Sequence, residues 1–157
     1  MRHAKSSWDD ASLSDFERPL NDRGLKAAPF MGKLMREKGL EPNVILSSPA
    51  NRAKQTAMLV KDASGFPHEI RFDDRIYEAS PQSLLQVASE IDDANMSAML
   101  VGHNPGMEGF IRYLTGSLEP MPTAALAVIV LNIDKWGDIT DGCGDLQNIY
   151  RPKDEMK

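Results

Sequence analysis

Residues 44–52 read Val44-Ile45-Leu46-Ser47-Ser48-Pro49-Ala50-Asn51-Arg52. Three consecutive apolar residues form neither a helical stripe nor a polar–apolar alternation. Such a short run suits a strand buried on both faces, as in a parallel sheet. The run stops at two serines and a proline. Ser48 is placed to cap a helix, and Pro49 to fill its first position, where the missing N–H has no cost. The same grammar returns at Met99-Leu100-Val101-Gly102-His103-Asn104-Pro105-Gly106. Strand, polar turn and helix in repetition predict a three-layer α/β sandwich, with a mostly parallel central sheet and helices on both faces.

The flanking sequence extends the pattern. Asn21 caps a helix reaching about Lys38, with Gly39 as its stop. Ala27, Ala28, Met31, Leu34 and Met35 share one face of it, and Pro29 should kink its first turns. Ala53, Ala57 and Val60 give the next helix a narrow apolar face. Ile70 to Phe72 reads as a short strand. Ser80-Pro81 opens a helix carrying Leu84, Leu85, Val87, Ala88 and Ile91, and Gly116 ends the one that begins near Gly106. Residues 124–133 are the strongest strand. Residues 135–144 read as a turn, and 146–150 as an antiparallel return, which makes the C-terminal edge mixed. Trp8 and Trp136 read as packing residues ahead of a place on the cleft rim, the nine methionines as adaptable core filling, and the pairs Asp73-Asp74 and Asp92-Asp93 as solvated faces or helix-end loops.

A chain of 157 residues predicts one domain spanning 1–157. Apolar residues make up 41% and charged residues 26%, an ordinary globular composition. The net charge of -5 offers no global basic field for nucleic acid or an anionic membrane. Cys143 is the only cysteine, so no intrachain disulfide and no cysteine-based metal cluster is expected. No apolar run approaches the ~20 residues needed to span a bilayer, and the N-terminus does not read as a secretory signal. These features predict a cytoplasmic monomer without cofactor or metal.

Chemistry gathers at the strand-to-helix turns, the edge where open α/β sheets bind ligands. Arg52 follows the first apolar run and His103 the second. The chain also opens Met1-Arg2-His3-Ala4-Lys5-Ser6. Two histidines and two arginines suit a phosphoryl group. Arginine grips its oxygens with paired bonds, helix N-termini add N–H donors, and a neutral imidazole can attack phosphorus. The arginines should hold His3 neutral. His103, once protonated by a bound dianion, becomes one more charged donor. Taken singly, each piece has a plain structural reading as a turn, a helix start or a surface histidine. Their conjunction on successive turns carries the functional one.

The segments Arg2-His3-Ala4-Lys5-Ser6-Ser7-Trp8, Glu17-Arg18-Pro19-Leu20-Asn21, Ser47 to Ala57, Ile76-Tyr77-Glu78-Ala79 and Val101 to Gly106 together resemble the histidine phosphatase superfamily. This superfamily includes the phosphoglycerate mutase-like enzymes, and the closest resemblance is to its SixA-type phosphohistidine phosphatase branch. The resemblance implies His3 as nucleophile, with Arg2, Arg52 and His103 binding phosphate. It adds Ser6 and Arg18 to the phosphate site and requires no metal. Glu78 lies where an acid could serve, and a plain loop carboxylate is an equal reading. The implied activity is hydrolysis of phosphohistidine on a protein through a phospho-His3 intermediate. The short chain has no long insertion to form a lid over a small metabolite, which favours a protein-borne phosphate. Small phosphate esters or sugar phosphates are the alternative substrates, and a non-catalytic phosphate- or phosphoprotein-binding module is the alternative class. One departure stands out. Relatives run an apolar strand straight into Arg-His, whereas here Met1 abuts Arg2, so the first strand reads as missing. A longer natural protein would explain this, and a truncated, weakly folded one is the alternative.

Overall fold

The computed structural model describes all residues, Met1–Lys157. Helix α1 (Asp22–Glu37) begins at Asn21, whose side chain accepts the Gly24 N–H, and it runs through Pro29. Strand β1 (Val44–Ser47) is buried throughout. It leads to α2 (Asn51–Ser64), β2 (Ile70–Phe72), α3 (Pro81–Ser89), β3 (Ala98–Val101) and α4 (Gly106–Thr115). Strands β4 (Leu126–Leu131) and β5 (Gly144–Tyr150) then pair antiparallel, and a helical turn, α5 (Pro152–Glu155), closes the chain. A 3-10 turn at Asp74–Ile76, capped by Asp73, replaces the simple solvated reading of that acidic pair.

Strands β2, β1 and β3 form a parallel sheet in that order. Side chains alternate across it as strand geometry requires. Ile45, Met99 and Val101 pack with α1 and α2, while Val44 and Leu46 pack with α3 and α4. That alternation makes the three layers. No helix is long and apolar enough to cross a membrane.

Three expectations need correction. Ser48 does not cap α2. Its helix starts two residues beyond Pro49, at an Ala50 cap with no side-chain bond, and Ser48 has another partner described below. Strand β4 also starts later than residue 124, because Ala124 takes a left-handed φ of 63° and breaks the extended run. Six of the nine methionines are buried, but Met58, Met96 and Met156 are exposed and fill no core.

The first strand is missing, as the sequence reads, and only an isolated bridge stands in its place. Residues 1–3 occupy the ladder between the two sheets, with Arg2 paired parallel to Gly102. The His3 N–H donates to the Gly102 carbonyl at 2.9 Å and Gly102 N–H to the Met1 carbonyl at 3.1 Å. On the other side, Arg2 N–H reaches Ala125 and Ala124 N–H reaches His3. Three residues therefore bring His3 to the carboxyl edge. Away from that edge, β3 and β4 part around an apolar cleft of about 610 Å3, lined by Met1, Met99, Met107, Phe110, Leu126 and Val128. The Met1 amine is buried at its head and donates to the Leu100 carbonyl at 2.7 Å. Burial lowers its pKa to about 5.

Candidate active site

His3 is 7% exposed. Its Nδ1 lies 2.7 Å from the Ala4 carbonyl, which can only accept, so Nδ1 carries the proton and Nε2 keeps its lone pair. Ala4 is itself anchored: its N–H donates to Thr56 Oγ1 at 2.9 Å, and the Thr56 hydroxyl donates to the Arg52 carbonyl at 2.7 Å. Thr56 thus fastens the His3 segment to the first turns of α2. Burial pushes the His3 pKa down to about 4, with the charges of Arg52, Arg2 and Arg18 adding to the fall against the Ala4 bond. Sequence reasoning assigns the leading part to the arginines, whereas burial is the larger cause.

His103 follows β3, and its ring centroid lies 5.0 Å from that of His3. Its Nε2 is 2.8 Å from Ser48 Oγ, the contact that diverts Ser48 from capping. Its Nδ1 is buried without a protein partner. Burial, then His3 and Arg52, lower its pKa to about 3. The turn after it is tight. A side chain at Gly106 would run into the Ala79 carbonyl, so only glycine lets α4 start here.

The arginines converge from three segments. Arg2 donates through Nη1 to the Met121 carbonyl at 3.1 Å, while its Nε is buried without a partner. Asn104 donates to the same carbonyl, at 2.9 Å. Arg18 is 6% exposed and gives Nη2 to Ser6 Oγ at 2.6 Å and Nε to the Ser7 carbonyl at 3.0 Å. Ser6 is tied to Leu20 by an isolated bridge. Arg52, 8% exposed, donates to Asp15 twice. Burial lowers the pKa of Arg2, offset in part by Glu108.

His3, His103, Arg2, Arg52, Ser6 and Arg18 therefore share one edge of the fold. Glu78 does not join them by any hydrogen bond; it is exposed, with a left-handed φ of 52°. Sequence reasoning missed three contributors. Ser48 was read as a cap, and Thr56 carried no signal beyond its place in the α2 segment. Asp15 bonds Arg18, Arg52 and Tyr77; its spacing of three residues from Arg18 was the one available hint. Trp8 was read as a packing residue but is 73% exposed, stacked under the Arg18 guanidinium at 3.1 Å.

The chain is similar to known proteins of one superfamily. The family model for the histidine phosphatase superfamily (branch 1) matches residues 1–94. An uncharacterised protein of Mycobacterium leprae is 31% identical over 142 residues, covering 82% of this chain and 86% of that protein. The SixA structure from Agrobacterium tumefaciens superposes with a TM-score of 0.83 at 30% identity, over 97% of this chain and 95% of that one. A protein histidine phosphatase SixA complexed with tungstate superposes with a TM-score of 0.80 at 25% identity, over 100% and 97% of the two chains.

Proposed function

We propose that this chain, which belongs to the histidine phosphatase superfamily, is a metal-independent phosphohistidine phosphatase acting through a phospho-His3 intermediate. The observation that carries this reading is the state of His3: its proton is committed to the Ala4 carbonyl, its pKa is lowered to about 4, and arginines surround it. A neutral imidazole with a free nitrogen is competent to attack phosphorus at pH 7. His3 Nε2 forms a new N–P bond as the substrate's N–P bond breaks. The departing imidazole leaves as a neutral molecule when its other nitrogen carries a proton. Water then attacks phospho-His3, releasing inorganic phosphate and restoring the imidazole. Arg2, Arg52, His103, Ser6 and Arg18 hold the phosphoryl oxygens, where charge develops.

The same chemistry favours a phosphoramidate over an ester. An alkoxide leaving group needs a proton, and Glu78 is our candidate donor for ester substrates alone. The SixA likeness supports a protein-borne substrate. Small phosphate esters and sugar phosphates remain the second reading. We further propose a single cytoplasmic domain acting as a monomer, without nucleic acid as a partner.

Phosphate release from a phosphohistidine-bearing protein, with chelator present, tests the reading. His3→Ala should lower the rate by on the order of 10^3-fold or more. Equal release by parent and variant would sink it. Faster turnover of a small ester than of the phosphoprotein would move the substrate to the second reading.

A further inference from the structure

Arg52 commits both terminal nitrogens to one residue. Nη1 donates to the Asp15 backbone carbonyl at 2.8 Å and Nη2 to its carboxylate at 3.1 Å. Arg18 Nη1 donates to the other carboxylate oxygen at 3.2 Å. The Tyr77 hydroxyl donates to Oδ2 at 2.8 Å, and its ring meets His103 edge-on, with centroids 5.6 Å apart. One carboxylate thus takes donors from the segment after Ser6, from α2 and from the turn before α3. The two arginine side chains are 7% and 9% exposed, whereas that of Asp15 is 47% exposed. Buried cations fixed in the fold are met by an anion carried on an exposed segment.

We infer that Asp15 is an internal anion seated on the phosphate-binding arginines, which a substrate phosphoryl group must displace, so that Asp15 sets which phosphorylated ligands the site accepts. This rests on the phosphatase reading above. Carboxylate and phosphoryl groups compete for the same paired guanidinium donors, and a phosphoryl dianion brings more charge and a third oxygen. Displacing Asp15 subtracts from the affinity of every ligand. A free phosphate or small ester has only its phosphoryl group to offset that loss. A phosphorylated protein adds contacts along segment 8–17, where Trp8, Asp15 and Phe16 lie at the surface. Asp15 therefore sets an affinity threshold that a ligand with further contacts clears at lower concentration than free phosphate or a small ester does, and it speeds release of the product. The opposing role, in which Asp15 only orients Arg52, predicts the opposite sign.

Tungstate binding to the full-length chain by calorimetry separates the two. Asp15→Asn and Asp15→Ala should each bind tungstate and inorganic phosphate about tenfold more tightly than the parent, the equivalent of one 1.4 kcal/mol contact released. Tyr77→Phe should move the same way by less. The KM values for p-nitrophenyl phosphate and for the phosphoprotein should both fall in Asp15→Asn, and kcat should fall with them as product release slows. Thermal midpoints should stay within a few degrees, since Asp15 is exposed. Unchanged or weaker tungstate binding in both Asp15 variants overturns the inference and leaves the phosphatase reading standing. Failure of the parent and every variant to bind tungstate overturns both.

Discussion

Strands β3 and β4 are bridged by residues 1–3 at one end and unbridged at the other. At the carboxyl end, residues 1–3 bridge them with backbone bonds on both sides, and His3 and His103 are held by Ala4, Thr56 and Ser48. At the other end the same strands line an apolar cleft of about 610 Å3, headed by a buried amine. The candidate site depends on the first end and the stability of the sheet on the second. A short ladder is enough to aim a side chain, because three residues fix its direction. It is not enough to fill a core, because burial scales with the area covered.

The largest expected effect follows from filling the cleft. Joining about five apolar, β-branched residues ahead of Met1 should let them pair parallel to β3 and antiparallel to β4. Burying such side chains yields about 2 kcal/mol each, against about 1–2 kcal/mol per residue of ordering entropy. With new ladder bonds, the net gain should be about 3 kcal/mol, or about 10 °C in Tm. Urea unfolding reads the gain and tungstate calorimetry reads the site. An unchanged Tm would show that the cleft does not accept a strand. A tungstate affinity rising in step would break the comparison, because the two ends would then be coupled.

The pattern of legibility follows the same division. Strands β1 and β3 were readable because continuous apolar runs between turn residues have few other fates. Helices α1 and α3 were readable from their Asn21 and Ser80 caps. The site histidines and arginines were readable because strand-to-helix turns place them on one edge. Ser48 was misread because a hydroxyl before a helix has two uses, and only the approach of His103 from 55 residues away decides between them. Asp15 and Thr56 escaped for a related reason: Arg52 and Tyr77, which meet Asp15, and Ala4, which meets Thr56, are distant in sequence and leave no local period. The missing first strand was legible from Met1 abutting Arg2, whereas the bridge that residues 1–3 hold was not, because so few ladder positions leave no pattern.

The buried amine gives the second effect. Its pKa falls from 8.0 to about 5 on folding, so between those values the unfolded chain binds the extra proton. Stability should therefore rise with pH from about 5 to 8 and be fully present above 8. His3 and His103, lowered from 6.5 to about 4 and about 3, add losses only as pH falls below 6.5. Acetylating the amine removes the component between pH 6.5 and 8 and leaves the histidine component intact. Unfolding free energies measured across this range, with and without acetylation, separate the two ends of the sheet by titration. A slope above pH 6.5 that survives acetylation would show that some group other than the amine produces it.

The smallest effect lies at the closed end. Ser48→Ala removes the partner of His103 Nε2 in a pocket where Ser48 is fully buried. A buried polar atom left without a partner costs about 1–3 kcal/mol. The Ala50 N–H loses its acceptor as well, at 3.2 Å in the parent. Unfolding should show that loss, and phosphate release should fall by about tenfold as His103 gains freedom to rotate. Ser48→Thr keeps the hydroxyl and should recover most of the activity. If Ser48→Ala lowers stability yet leaves turnover intact, Ser48 serves only packing, and the orientation of His103 rests on its place after β3. That outcome would move the control of the site from side-chain bonds to the backbone ladder of residues 1–3 and 102.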